Sequence, residues 1–202
     1  MMKKIGLTGS IAVGKSFVCS VLRELGCQIL DADLTAREVV AKGTPGLAEI
    51  VREFGEGVLS KDDDLDRKKL GSIVFNDKEK RQLLNSIVHP LVIEAQDKWI
   101  REAETKKPDG IAVIDAALMI ESGGYKRFNK LIVVWCESAI QLKRLMERDN
   151  LSETDAKTRI AAQMPQDEKM RFADYLIDTS GGFETTRKQA TEIVKQLRMS
   201  TA

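Results

Sequence analysis

The sequence predicts a doubly wound α/β fold around a five-stranded parallel sheet flanked by helices, on three observations. Short apolar runs alternate with longer segments of helical period. Runs such as Ile111-Ala112-Val113-Ile114 and Leu131-Ile132-Val133-Val134-Trp135 show no polar alternation, and a glycine-rich turn follows the first run directly. Unbroken apolar strands belong to sheets covered by helices on both faces. The 202 residues, 43% of them apolar and 31% charged, are enough for one sizeable core. A balance of 32 Lys+Arg against 31 Asp+Glu leaves a net charge of +1 and no bulk field toward nucleic acid or anionic lipid, so neither partner is expected.

The strands are predicted at Lys4 to Thr8, Gln28 to Ala32, Ile111 to Ala116, Lys130 to Trp135 and Tyr175 to Asp178. After the first strand, Val18, Val21, Leu22 and Leu25 carry a helical stripe. About eighty residues separate the second and third strands, far more than one crossover helix needs, so a helical insert is implied. Its candidate helices run from Leu34 to Ala41, Gly46 to Phe54, Arg67 to Val74, and Lys78 through His89-Pro90 to Ala103, with Ser60 to Asp66 as a solvated connection. Past the fourth strand, Ser138 is a fitting N-cap for a helix to Arg148. Ser152-Glu153-Thr154-Asp155 is a capping-box pattern opening another to about Gln163. This charged pair suits a flap over the sheet's C-terminal edge. The expected organisation is a core of 1–30, 104–137 and 171–202, an insert at 31–103 and a lid at 138–170.

The longest apolar stretch, Leu131 to Cys136, is far short of the roughly 20 residues of a membrane span. The basic start runs straight into the glycine turn, so neither a signal peptide nor an anchor is expected. Cys19, Cys27 and Cys136 are an odd set without metal-ligand spacing, which favours a reducing, cytoplasmic setting. With His89 as the single histidine, any metal must be bound by oxygen, as magnesium is.

Gly9-Ser10-Ile11-Ala12-Val13-Gly14-Lys15-Ser16 fits G-x-x-x-x-G-K-[ST] between a strand and a helix, so the fold expected is the P-loop NTPase fold. In such a loop backbone N–H groups wrap a phosphate at a helix N-terminus. Lys15 reaches the β- and γ-phosphates of ATP, and the Ser16 hydroxyl ligates magnesium. Phe17 stands where a hydroxyl often serves the α-phosphate, leaving backbone donation there. The second strand ends in Asp31-Ala32-Asp33. Asp33 is either a helix cap paired with Arg37, four residues on, or a base for a substrate hydroxyl. By fold-level analogy Asp115, at the end of the third strand, lies near magnesium; a solubilising strand-end carboxylate is the alternative. Arg144 and Arg148, four apart with Lys143 beside them, form either a solvated face or mobile cations for a transferring phosphoryl group. Arg159 and Gln163 share a face, and spacing assigns them no role.

Taken together, Thr8-Gly9-Ser10-Ile11, Gly14-Lys15-Ser16, Asp31-Ala32-Asp33 with Ala36-Arg37, and His89-Pro90 resemble the dephospho-coenzyme A kinase family. Arg144, Arg148, Arg159-Ile160, Gln163, Lys169, Ala173-Asp174, Ile177 and Gly181 extend the match over nearly the whole chain. The resemblance implies transfer of the ATP γ-phosphate to the ribose 3′-hydroxyl of dephospho-coenzyme A, with magnesium. It implies Asp33 as base, Lys15 and Arg144 as catalytic cations, and an ATP site of Gly9 through Phe17 with Arg144 and Arg148. It puts Thr8, Asp33, Arg37 and His89 on the acceptor side, and Ser16 and Asp115 at the metal. The family commonly has glycine where this chain has Ser10 and Ala12, and proline where it has Ala116-Ala117 after Asp115, so a bulkier loop and a reshaped turn are expected. Two other readings remain open: a kinase for another small acceptor such as a nucleoside monophosphate, and a nucleotide-dependent switch. The sequence leaves the oligomeric state open, with a monomer compatible.

Overall fold

The structure, a computed structural model, describes residues 1–75 and 77–199. Strands β1 (Lys3–Thr8), β2 (Gln28–Asp31), β3 (Ile111–Asp115), β4 (Lys130–Trp135) and β5 (Tyr175–Asp178) form one sheet in the order β2-β3-β1-β4-β5. Every pairing is parallel, and each strand lies within one residue of its predicted bounds. Leu7 registers with Asp115 and Thr8 with Val133. The P-loop therefore leaves the sheet between the ends of β3 and β4, at the topological switch point where ligands of such sheets bind.

Helix α1 (Lys15–Glu24) buries Val18, Cys19, Val21 and Leu22 on one stripe. They pack with Ile5, Leu7, Val113, Ile132, Val134 and Ile177 of the sheet and with Ala190, Ile193, Val194 and Leu197 of the last helix, α9 (Gly182–Met199). Between β4 and β5 lie α6 (Ser138–Asp149), α7 (Glu153–Ala161) and α8 (Gln166–Met170). Glu137, not Ser138, is the N-cap residue of α6, so Ser138 already belongs to the first turn. Ser152 caps α7 as expected, its Oγ accepting from the Asp155 N–H at 3.1 Å. The Ser152 hydroxyl in turn donates to Asp155 Oδ2 at 2.6 Å. The acidic partner thus engages the cap's hydroxyl, where the full box would have it reach the cap's amide.

These segments, Met1–Asp31 and Glu102 onward, form one compact unit, and Ala32–Arg101 forms a second. The second holds α2 (Ala32–Glu38), α3 (Pro45–Phe54), α4 (Arg67–Phe75) and most of α5 (Lys78–Lys106). Its core gathers Val40, Ile50, Val58 and Leu70 with Phe54, Leu84, Ile87 and Val88. Thr44 Oγ1 caps α3 through the Leu47 N–H at 3.2 Å, with Pro45 in the first turn where its missing N–H does no harm. Asp66 caps α4 through the Lys69 N–H at 3.0 Å. α5 runs through Pro90 without ending, so His89-Pro90 sits inside a 29-residue helix. No helix among the described residues is long and apolar enough to cross a membrane.

Candidate active site

The loop from Gly9 to Lys15 has the backbone its motif calls for. A Cβ at Gly9 would meet the Val134 carbonyl at 2.6 Å, so only glycine lets the loop cross β4 this closely. Gly14, with φ of 85°, turns the chain into α1 and precedes Lys15. Ala12 stands at φ 62°, the left-handed region, which costs about 1–2 kcal/mol for a residue with a Cβ. The bulkier loop keeps a glycine-type path at that expense. Ser10 is 5% exposed, and its buried hydroxyl has no hydrogen-bond partner among the described residues.

Lys15 Nζ is ion-paired with Asp115 Oδ1 across the mouth of the loop. The Cys19 thiol donates to the other oxygen, Oδ2, at 3.3 Å. Burial, and then the neighbouring Asp115 charge, push the Cys19 thiol up to about 12, so it remains a protonated donor that steers the carboxylate. Ser16 is exposed in the first turn of α1, next to Lys15. The Ser16 hydroxyl and the Asp115 carboxylate are hard oxygen donors, a set that suits magnesium, which takes most of its ligands from phosphates and water.

Arg144 is docked against the loop. Its guanidinium donates to Thr179 Oγ1 at 2.8 Å and to the Thr179 carbonyl at 2.9 Å. The Thr179 hydroxyl donates to the Val13 carbonyl at 2.7 Å, so one buried threonine joins Arg144 to the phosphate loop. Arg148, on the same helix, does not join this cluster: it chelates Asp149 at 2.8 and 3.1 Å, and Arg159 shares that carboxylate at 3.0 Å. Two arginines equally spaced for one face thus have different partners.

The apex of the loop is held by Gln163, to which spacing assigned no role, and by Gln141. Gln163 Oε1 accepts from the Ile11 N–H at 2.8 Å, and Gln141 Nε2 donates to the Ile11 carbonyl at 2.8 Å. Gln166 Nε2 donates to Gln141 Oε1 at 2.8 Å, and its own Oε1 accepts from the Cys136 N–H at 3.1 Å. The charged segment expected to form a flap over the sheet's C-terminal edge also carries buried residues: α6 buries Gln141 and Leu145, α7 buries Ala156, and α8 buries Lys169. The polarity of the two Ile11 contacts gives a directional test. Gln163→Glu keeps its acceptor and is expected to hold ATP affinity within about threefold. Gln141→Glu sets one acceptor against another and should weaken ATP binding by about tenfold or more, the penalty for an unmatched buried carbonyl, as read by calorimetry.

The turn after β3 is shaped without proline by three groups. Lys169, fully buried, places Nζ 2.8 Å from Glu121 Oε1 and 2.8 Å from the Ala117 carbonyl. Thr8, expected on the acceptor side, is instead buried, and its hydroxyl donates to the same carbonyl at 3.2 Å. It braces the turn from the end of β1.

In the second unit, α2 starts at Ala32, which makes Asp33 the second residue of the helix, two places past the cap position considered for it. Asp33 and Arg37 are exposed, and the Arg37 carbonyl accepts from Arg67 Nη2 at 3.0 Å. His89 is exposed on α5.

The dephospho-CoA kinase family profile matches residues 3–185 of this chain. A dephospho-CoA kinase of Listeria monocytogenes is 45% identical over 200 residues, covering 97% of this chain and 98% of that protein. A solved dephospho-CoA kinase from Campylobacter jejuni superposes with a TM-score of 0.73 at 29% identity, covering 98% of each chain. A shikimate kinase from Acinetobacter baumannii, at TM-score 0.53 and 17% identity over 98% of this chain and 93% of that one, shares the fold. With the phosphate loop, the Lys15–Asp115 pair and near-complete coverage all in agreement, this chain belongs to the dephospho-CoA kinase family.

Proposed function

We propose that the protein transfers the γ-phosphate of ATP to the ribose 3′-hydroxyl of dephospho-coenzyme A. The observation that carries this reading is the Lys15–Asp115 pair at the mouth of a well-formed phosphate loop, in a chain of this family. Phosphoryl transfer asks little covalent chemistry of a protein; positioning and charge stabilisation supply most of the acceleration.

The loop amides and Lys15 bind the β- and γ-phosphates, whose negative charge competes with Asp115 for the ammonium. Arg144, one threonine away from the loop, neutralises charge that develops on the transferring group. Ser16 and Asp115 would hold magnesium, which when bound supplies further neutralisation of phosphate charge. On the acceptor side, Asp33 accepts the hydroxyl proton as the bond to phosphorus forms, with Arg37 and His89 orienting the acceptor. Arg148, paired with Asp149 and Arg159, contributes at most a peripheral charge to the nucleotide. Segment 138–170 excludes water, which would otherwise compete with the acceptor for the γ-phosphate. The buried, free thiols of Cys19, Cys27 and Cys136 suit work in a reducing cytoplasm.

The test is an ADP-release assay with dephospho-coenzyme A, nucleoside monophosphates and shikimate as alternative acceptors. Only dephospho-coenzyme A is expected to accelerate release, with coenzyme A as the product by mass spectrometry. Equal stimulation by a nucleoside monophosphate would overturn the acceptor assignment.

A further inference from the structure

We propose that Lys169 and Glu121 are positioning residues for the phosphate loop, tying segment 163–169 to the turn after β3 so that Gln163 holds the loop's apex in the shape that receives ATP. This rests on the reading of ATP as the phosphoryl donor and deepens it. Lys169 is 0% exposed, and no step of the transfer uses it. A lysine enclosed with a carboxylate seldom adds net stability, since apolar residues of similar volume do as well or better. What the pair supplies here is direction: Lys169 Nζ donates to Glu121 Oε1 and to the Ala117 carbonyl, both at 2.8 Å. Glu121 Oε1 also accepts from the Met164 N–H at 3.3 Å, so one carboxylate oxygen gathers both ends of the segment.

Beside and between those ends stand the glutamines that grip the loop. Gln163, next to Met164, accepts from the Ile11 N–H, and Gln166 donates to Gln141, the other side-chain contact of Ile11. The Ala117 carbonyl that Lys169 takes also accepts from Thr8, the last residue of β1. The tie therefore reaches the loop twice, at its root through Thr8 and at its apex through Gln163. The apex needs holding. Ala12, beside Ile11, stands at φ 62°, a conformation that a residue with a Cβ keeps only where its surroundings impose it. A relaxed apex would turn loop amides away from the phosphates, and donors set in advance are what give such a site its affinity.

Calorimetry with ATP, steady-state kinetics and a double-mutant cycle test the tie. Lys169→Met keeps the length of the side chain and removes the donor. ATP affinity is expected to fall about tenfold and the KM for ATP to rise likewise, with the KM for dephospho-coenzyme A unchanged. Gln163→Ala should weaken ATP binding about as much, and adding Lys169→Met to it should cost less than about twofold more, because the apex is already released. Lys169→Met with Glu121→Gln leaves no charge unpaired, so by circular dichroism it should melt near the wild-type temperature while ATP affinity stays low. This second variant decides the matter even if the single change fails to fold. Recovery of ATP affinity along with the melting temperature would reduce the pair to a stabilising one and overturn the inference. So would additive losses with Gln163→Ala, or equal rises in both KM values. Wild-type protein that binds no ATP would refute the donor reading itself, a separate outcome read from the unmutated chain.

Discussion

Replacing Lys15 with alanine is expected to lower kcat by about three orders of magnitude, the upper end of what removing one preorganised charge donor costs a transfer reaction. The cause is local. Lys15 is the cation in the loop aimed at the mouth beside β3, where it meets Asp115. Arg144 is held by two hydrogen bonds to Thr179, so its guanidinium is committed elsewhere than the Asp115 carboxylate that Lys15 meets. A second consequence follows from burial. The Asp115 side chain is 11% exposed, so removing Lys15 leaves a nearly enclosed carboxylate with the weak Cys19 thiol as its remaining side-chain donor. Breaking a buried pair from one side costs about 3–5 kcal/mol when enclosure is complete, and less here. A double change, Lys15→Ala with Asp115→Asn, should recover the melting temperature lost by the single variant without recovering kcat. If kcat stayed within tenfold of wild type in Lys15→Ala, the phosphate role of this lysine would be refuted.

The sheet was legible because parallel strands buried on both faces write themselves as unbroken apolar runs, and β4 and β5 match their sequence-read bounds residue for residue. The phosphate loop was equally plain, since its glycines answer to the backbone: Gly9 to the close approach of Val134, Gly14 to its positive φ. The contacts of the supporting polar shell were not legible, although Gln163 and Lys169 belong to the family resemblance. Gln141, 2% exposed, and Lys169, 0% exposed, look like surface residues in a helical pattern. They are buried only because Ile11, Glu121 and Ala117, distant in sequence, satisfy them. Thr179 carries no motif of its own, yet it links Arg144 to Val13. Helix α8, five residues long, is too short for periodicity to register. Helix α9 was missed although Thr186, Ala190, Ile193, Val194 and Leu197 fall on one helical stripe. A threonine and an alanine at its start weaken the apolar signal.

The second large effect belongs to Asp33. Changing it to asparagine keeps its size and its place in the first turn of α2 but removes the charge that would take the acceptor's proton. Turnover is expected to fall about 10²- to 10⁴-fold, the usual contribution of a general base. ATP affinity, governed by the loop and Lys15 in the other compact unit, should stay within about twofold. The split matters because a merely structural Asp33 would behave differently. Loss of a helix contact would lower the melting temperature and disturb both substrates together, with turnover reduced in proportion to the folded fraction. A base also has a signature in pH: with asparagine the acid limb of kcat, set by protonation of the carboxylate, should vanish and leave a flat low-pH profile. Asp33→Glu, which retains the charge on a longer arm, should keep part of the turnover and the acid limb. Near wild-type turnover in Asp33→Asn would remove the residue as base and shift the proton to the phosphate oxygens of ATP, a route a loose transition state allows because the attacking hydroxyl loses its proton late.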